Sequence, residues 1–167
     1  MLGILVEQAA DAEQLDPAYR TDLTRWTSRP AWTGDGVPPA TAVEPALRRV
    51  PVREFAPHGG GDVLAAGEDH DAGAEYTILY GMGADPLDLL RGGEAMSALL
   101  LTATAQGLST APLSEAVEVA WSKYLLGELL SGIGEPYLVV RLGYVDAPEQ
   151  LPATPRRTAT EVITSTD

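Results

Sequence analysis

Residues 93–116 read GEAMSALLLTATAQGLSTAPLSEA, and this stretch decides how the chain folds. No charged residue occurs over positions 95–114, a length close to that of a membrane span. Gln106, Gly107 and the small polar residues after them reduce the apolar part to roughly eleven residues, which is typical of a buried helix. Apolar residues on both sides predict a helix over 86–106 that is covered all round and ends at Gly107.

The rest of the sequence predicts a helix-rich α+β fold. Asp16-Pro17 and Asp85-Pro86 each place a capping residue before a proline, which is the usual start of a helix. The expected elements are helices at 2–14, 17–27, 86–106 and 116–130, strands at 76–80 and 137–145, loops at 28–45 and 108–114, and an extended tail at 146–167.

Two strands are too few for an independent sheet. The small mixed or antiparallel sheet is therefore expected to be completed by another half of a longer protein or by another subunit. Residues 1–167 are accordingly predicted to form a single half-domain, in which the long loop 28–45 crosses the surface of a neighbour. The sequence leaves open whether Met1 is the native start, and whether the partner is a second copy in a homodimer or a missing N-terminal half.

The charge balance excludes several classes of partner. The chain has 11 basic and 24 acidic residues, a net charge of −13, and a field of that sign repels nucleic acid and anionic lipid. The absence of cysteine excludes disulfides and thiol catalysis. The residues after Met1 show neither a basic segment nor a small-residue cleavage site, so no signal peptide is predicted and a cytoplasmic protein is expected.

The order of several segments resembles the flavin-dependent nitroreductase-like family. The long helix leads into GLSTAPLSEA, a second helix follows, and then come EPYLVVRLGYVDAP and TPRRTATEVI, an order similar to the C-terminal half of those proteins. The upstream segments DPAYRTDLTRWT and DGVP are similar to the two-halved, Acg-like actinobacterial branch, whose chains consist of two nitroreductase-like halves. The resemblance covers most of residues 15–165 and is best over 76–163.

The resemblance implies that the loop after Gly107 lies against the ring of a bound FMN. A flat ring with one polar edge needs backbone donors and acceptors there, and small side chains that let the main chain approach. The candidate cofactor-binding residues of this loop are Thr110, Ala111, Pro112, Leu113 and Ser114. Glu115 stands where the family commonly has glycine, and it is expected to place a negative charge beside the ring. The alternative is a plain connection between two helices.

Arg156 and Arg157 match a basic pair near the C-terminus of the family. The resemblance implies that this pair reaches the flavin phosphate, usually on the partner subunit, because arginine makes strong bonds to phosphate. The alternative is an exposed, solvated pair. The family also has an N-terminal Arg-x-Ser-x-Arg element that holds the phosphate and ribityl chain, and no such element occurs in these 167 residues.

Other candidate sites are weaker. His58 precedes the glycine triplet 59–61, which lacks the Lys-Ser/Thr of a phosphate loop. His70 lies within the EDHD run at 68–71, where consecutive side chains splay apart, so a solvated acidic loop is favoured over a cation site. Trp32 on the long loop is a possible ligand contact. No metal site and no catalytic side chain is therefore predicted.

Two functions are compatible with these observations. The first is an FMN-dependent oxidoreductase of nitroreductase type, with NAD(P)H as reductant and a nitro compound or quinone as acceptor. In that case the protein orients the flavin ring, and no side-chain acid or base is required. The second is a non-enzymatic flavin-binding or flavin-storage protein, or a degenerate half that only supports assembly. The missing basic element and Glu115 favour the second function.

Overall fold

The computed structural model describes residues 1–46, 48–55, 63–66, 73–145 and 153–163. Contacts within the chain group these residues into two compact units. The first unit contains residues 1–13, 48–53 and 73–145, and the second contains residues 14–46, 54–55, 63–66 and 153–163. The single half-domain over 1–167 stays a prediction.

The described part of the chain is helix-rich and has one small sheet, which confirms the predicted α+β composition. The helices are α1 (Leu2–Leu15), α2 (Pro17–Thr27), α3 (Pro86–Ala105), α4 (Glu115–Glu118), α5 (Ala120–Leu129) and α6 (Ala159–Val162). The strands are β1 (Glu75–Gly81), β2 (Ser109–Leu113) and β3 (Glu135–Gly143). Short 3-10 turns at Ala31–Thr33 and Pro39–Thr41 lie within the predicted long loop.

Asp16 and Asp85 cap the two helices that were predicted to start at Asp-Pro dipeptides. Oδ1 of Asp16 accepts the N–H of Ala18 at 2.8 Å. Oδ1 of Asp85 accepts the N–H groups of Leu87 and Asp88, each at 2.9 Å. The first N–H groups of a helix lack an intrahelical acceptor, so each carboxylate stabilises the first turn. Both helix starts are therefore encoded locally.

Helix α3 also ends where the sequence predicts. Gly107 has a φ of 73°, a conformation that glycine adopts at little cost. The N–H of Leu108 donates to the carbonyl of Ala103 at 2.9 Å, which satisfies one of the last carbonyl groups of the helix. Within the residues that the structure describes, no helix combines the length and the apolar character needed to cross a membrane.

Helix α3 is not covered all round, in contrast to the prediction from the sequence. Ala103 is buried, whereas Leu87, Leu90 and Leu101 are 53%, 60% and 69% exposed. The helix packs against the sheet along one side. The prediction of coverage is wrong within this chain, because the described residues provide a covering layer for only one face of the helix.

The sheet has three antiparallel strands in the order β1-β3-β2. The sequence predicts β1 and β3 but treats 108–114 as a loop, and this is wrong for Ser109–Leu113, which pairs with β3. Small residues and a proline have little intrinsic strand propensity. Ser109–Leu113 is extended because β3 supplies its hydrogen-bonding partner. The completion of this sheet by another half or subunit stays a prediction.

The hydrophobic core cluster of the first unit includes residues of β2 and β3. Leu113 of β2 and Val139 of β3 are opposite each other in the strand register and are 2% and 0% exposed. The buried members of this core are Leu5, Val6, Val50, Leu113, Ala116, Leu126 and Val139. Full burial of a leucine stabilises the fold by about 1.5–3 kcal/mol, so Leu113 anchors the end of β2.

The helix predicted over 116–130 is divided into α4 and α5. Val119 between them has an extended conformation, with ψ of 124°. The hydroxyl of buried Ser122 lies 3.0 Å from the carbonyl oxygen of Ala116 and 2.8 Å from that of Val119. These contacts satisfy backbone acceptors at the break. As a result, α4 is a single short turn directly after β2.

Candidate functional site

The segment predicted to face a flavin ring forms β2 and the residue after it. Ser109 and Pro112 are exposed, and Thr110 and Ala111 are half-buried. Leu113 is 2% exposed because it packs in the core. Leu113 therefore anchors the strand, while the four residues before it form the accessible part. A strand, rather than a loop, brings these candidates together.

β2 lies at an edge of the sheet. β3 pairs with one side of it, and no strand among the described residues pairs with the other side. The N–H and C=O groups of a strand edge can bond to a ligand. Pro112 lacks an N–H, and proline is tolerated in edge strands. A Cβ added at Gly107 would meet no atom within 4 Å, so the residue that leads into β2 has open space beside it.

Glu115 does not project beside β2, which corrects the expectation from the sequence. It is 3% exposed, and its Oε1 lies 3.3 Å from Nε of Arg53. The carboxylate is thus directed into the first unit, where the guanidinium compensates its charge. Ser114 is half-buried, and its carbonyl accepts the N–H groups of Val117 and Glu118. The negative charge expected beside a bound ring is held by Arg53 instead.

Two further carboxylates contact Arg53. Its Nη2 lies 3.2 Å from Oε1 of Glu13 and 2.9 Å from Oε2 of Glu118. Burial and a hydrogen bond with Glu118 raise the pKa of Glu13 to about 7, although Arg53 acts in the opposite direction. Burial also acts to raise the pKa of Glu118, but hydrogen bonds with Ser114, Arg53 and Glu13 lower it below its ordinary value.

Sequence reasoning missed this cluster because its members come from three distant segments. Glu13 lies on α1, Arg53 on the segment 48–55, and Glu115 and Glu118 on α4. No local spacing relates such residues. The available signal was a basic stretch, LRRVPVREF, in an acidic chain, which indicates that some of its arginines neutralise carboxylates elsewhere in the fold.

The predicted phosphate-binding pair lies in the second unit. Arg156 and Arg157 are both exposed. Nη1 of Arg156 donates to the carbonyl of Pro155 at 3.1 Å. Nε of Arg157 lies 3.8 Å from Oδ2 of Asp35, and the Arg157 side chain is 51% exposed. Both guanidinium groups are therefore accessible to an anion.

Asp35 lies beside Arg157 and is also paired with Arg29. Its Oδ2 lies 2.5 Å from Nη1 of Arg29, and this hydrogen bond lowers the pKa of Asp35, with a smaller contribution from Arg157 and an opposing one from burial. Gly34 has a φ of 68°, and a Cβ there would lie 2.9 Å from the carbonyl oxygen of Arg156. The GDG turn at 34–36 thus packs closely against the arginine pair, a role that its sequence did not reveal.

His58, His70 and the EDHD run lie outside the described residues. Trp32 is 87% exposed on the turn Ala31–Thr33. In the part of the chain that the structure describes, no group of three or more His, Cys, Asp or Glu residues is arranged to hold a metal ion.

Comparisons with known proteins identify mycobacterial relatives. A scan against protein-family models found no match. A Mycobacterium tuberculosis protein named "Putative NAD(P)H nitroreductase Rv3131" is 36% identical over 166 residues, which cover 95% of this chain and 46% of the relative. "Putative NAD(P)H nitroreductase acg" of the same organism is 32% identical over 150 residues, 89% of this chain and 45% of the relative. "Uncharacterized protein Rv3127" is 33% identical over 151 residues, 89% of this chain and 43% of the relative.

The chain spans about half the length of the curated relatives it matches. The similarity nevertheless extends over 89% to 95% of the chain itself, so it is not restricted to one helix or one strand. Two of the three relatives carry a nitroreductase name. The chain is thus similar along nearly all of its length to proteins named as NAD(P)H nitroreductases, and these relatives support a nitroreductase-like family for it.

Proposed function

We propose that this chain is one half of an FMN-dependent NAD(P)H oxidoreductase with a nitroreductase-like fold, which reduces nitro compounds or quinones. The observation that carries this proposal is the 36% identity, over 95% of the chain, to a relative named as an NAD(P)H nitroreductase. Bound FMN supplies hydride transfer from the nicotinamide to the acceptor. The protein binds and orients its ligands, and the reaction requires no side-chain acid or base. A cytoplasmic location stays a prediction.

The accessible edge of β2 fits a flat heterocycle with a polar edge. Ser109, Thr110, Ala111 and Pro112 have small, uncharged side chains and are at least partly exposed. Their strand edge offers backbone donors and acceptors, and Ser114 follows at the start of α4. Because the carboxylate of Glu115 is paired with Arg53, it places no negative charge on this edge. In this proposal, residues 110–114 hold the FMN ring.

Arg156 and Arg157 are proposed to bind the phosphate of an FMN held by the partner subunit. The guanidinium fork makes directional, charge-assisted bonds to phosphate oxygens. Asp35 contacts Arg157 at 3.8 Å and Arg29 at 2.5 Å, so Asp35 is bound more closely to Arg29 and leaves Arg157 accessible. These local positive charges attract a phosphate despite the net charge of −13.

A second half or a second copy of the chain is proposed to cover α3. Three of its exposed leucines, Leu87, Leu90 and Leu101, lie on one side of the helix because positions 87, 90 and 101 are separated by steps of three and eleven. Exposed apolar patches of this kind are typical of interaction surfaces. The relatives are about twice as long as the aligned part, so both a homodimer and an additional nitroreductase-like half are compatible with this surface.

The second candidate function is non-enzymatic flavin binding or storage, or a degenerate half that supports assembly. The sequence lacks an Arg-x-Ser-x-Arg element, and this observation favours the degenerate half because a weakly held phosphate limits flavin binding. The oxidoreductase and the flavin-storage protein differ in whether bound flavin accepts hydride from NAD(P)H, and a half that only supports assembly binds no flavin.

In the test, the purified chain is titrated with FMN, and binding is measured by the quenching of flavin fluorescence. NADH or NADPH is then added without oxygen, and the visible absorbance of the flavin is recorded. A nitroaromatic compound or a quinone is added last. Riboflavin, which lacks the phosphate, serves as the matched ligand control.

The proposed enzyme predicts FMN binding, loss of the flavin absorbance with NADH or NADPH, and its return with the acceptor. Binding without loss of absorbance supports flavin storage. If the chain binds no FMN even in a saturated solution of the ligand, both flavin functions are contradicted. Support of assembly is then the function that remains.

A further inference from the structure

Four ionisable side chains of the first unit meet next to the end of β2. Arg53 contributes the guanidinium, and the carboxylates of Glu13, Glu115 and Glu118 lie 3.2, 3.3 and 2.9 Å from its nitrogen atoms. Glu13 and Glu115 are 6% and 3% exposed. Removing charges from water is costly, so the guanidinium of Arg53 compensates the charge of the carboxylates that contact it.

The contacts of Arg53 with α4 tie this turn to the rest of the unit. Glu115 and Glu118 are three residues apart, and the planar guanidinium contacts Glu115 through Nε and Glu118 through Nη2. Helix α4 has only 4 residues and is too short to be stable by itself. Ser114 lies directly between α4 and β2, so whatever holds α4 also fixes the end of β2.

We propose that Arg53 is a positioning residue, which holds the turn at Ser114 through Glu115 and Glu118 and thereby fixes the accessible edge of β2, and that Glu13 weakens this hold as the pH rises. The inference rests on the proposed function to the extent that β2 is the flavin-facing segment. Arg53 itself contacts only protein groups in this proposal and does not touch the flavin.

The effect of pH follows from the groups that face Glu13, which are Arg53, Glu118 and Glu115. Burial and the bond to Glu118 raise the pKa of Glu13 to about 7, so at lower pH Glu13 is neutral and Arg53 faces two carboxylates. At higher pH Glu13 ionises, competes for the guanidinium and repels Glu118. The contacts of Arg53 with α4 therefore weaken.

The first experiment measures backbone hydrogen exchange over residues 109–118 in the wild type and in two variants. Arg53→Lys keeps the positive charge but loses the planar fork. Arg49→Lys is the matched control, because Arg49 belongs to the same segment but donates to the carbonyl of Ala74. Arg53→Lys is expected to accelerate exchange at 113–118 and to weaken FMN binding, each by about tenfold. Arg49→Lys is expected to change neither.

The second experiment uses Glu13→Gln, which cannot ionise. Exchange at 113–118, relative to exchange in the centre of α3, is compared at about pH 6 and about pH 8, on either side of the pKa of Glu13. The wild type is expected to show several-fold faster relative exchange at the higher pH. Glu13→Gln is expected to show the same relative exchange at both. If Arg53→Lys does not fold, this comparison still tests the role of Glu13 in the cluster.

The outcomes distinguish this inference from the proposed function. If the wild type binds no FMN but Arg53→Lys still accelerates exchange at 113–118, the positioning role stands and the flavin function fails. If the wild type binds FMN and Arg53→Lys matches Arg49→Lys in both measurements, the flavin function stands and the positioning role is overturned. Equal pH dependence of the wild type and Glu13→Gln overturns the role of Glu13.

Discussion

The ring of Tyr137 in β3 lies directly against Gly92 in α3, where an added Cβ would be 2.7 Å from Cδ2 of the tyrosine. The hydroxyl of Tyr137 also donates to the carbonyl of Gly83, just before α3. At Gly93, by contrast, an added Cβ would meet no atom within 4 Å. Adjacent glycines therefore have different roles, since Gly92 allows the helix to approach the sheet and Gly93 faces open space.

Alanine substitutions at these two glycines are expected to have opposite effects on stability. Gly92→Ala places a methyl group against the Tyr137 ring and should lower the free energy of unfolding by about 1–2 kcal/mol. Gly93→Ala replaces a poor helix former without a clash and should raise it by about 0.5–1 kcal/mol. Urea denaturation followed by circular dichroism measures both. Equal effects of the two substitutions would contradict the described contact.

The exposed leucines of α3 are expected to mediate association. Leu90 and Leu101 are 60% and 69% exposed, and burying such side chains in an interface is favourable. The wild type should form dimers in light scattering, and the double variant Leu90→Glu, Leu101→Glu should be monomeric. Ile133→Glu, at another exposed apolar position, serves as the control. A wild type that is monomeric at all concentrations contradicts the homodimer and favours an additional half.

A negative charge on the edge of β2 is expected to weaken flavin binding without unfolding the chain. Pro112 is exposed, so the Pro112→Glu side chain has space, and its carboxylate repels the anionic ligand. The dissociation constant for FMN should increase by about tenfold, which corresponds to about 1.4 kcal/mol. Thr104→Glu, at an exposed position of α3, is the control for added charge. Unchanged binding in Pro112→Glu removes β2 from the candidate site.

The arginine pair is expected to recognise the phosphate rather than the ring. Arg156→Gln and Arg157→Gln should each weaken FMN binding by about tenfold, since hydrogen bonds to charged groups contribute about 1.5–3 kcal/mol. Riboflavin binding should not change in either variant. Calorimetric titration with FMN and with riboflavin measures the dissociation constants that are compared. An equal loss for FMN and riboflavin would indicate a structural effect of the substitution instead.

The stability contribution of Glu13 is expected to decrease as the pH rises. Its pKa is raised from 4.5 to about 7 in the folded chain, so the folded state binds the proton more tightly than the unfolded state does. This contribution is complete below about pH 4.5 and is lost as the pH rises through about 7. Between about pH 5 and about pH 8, the wild type should lose about 2–3 kcal/mol relative to Glu13→Gln. Parallel curves in chemical denaturation would contradict the raised pKa.

The sequence determined those elements whose signals are local. Asp16 and Asp85 accept hydrogen bonds from the N–H groups that start their helices, and Gly107 adopts the positive φ that ends α3. The apolar, β-branched run around Val139 and Val140 forms the central strand of the sheet. In each case the residues of the element itself favour its conformation, so the local pattern is sufficient to predict it.

The tertiary structure decided what depends on residues distant in sequence. Ser109–Leu113 becomes a strand because β3 lies beside it, and its own composition favours a loop. Glu115 turns inward because Arg53, 62 positions earlier, meets its carboxylate. Leu101 is exposed because the described residues cover only one side of α3. Strand pairing, charge compensation and burial are relations between segments, and only the folded chain brings those segments into contact.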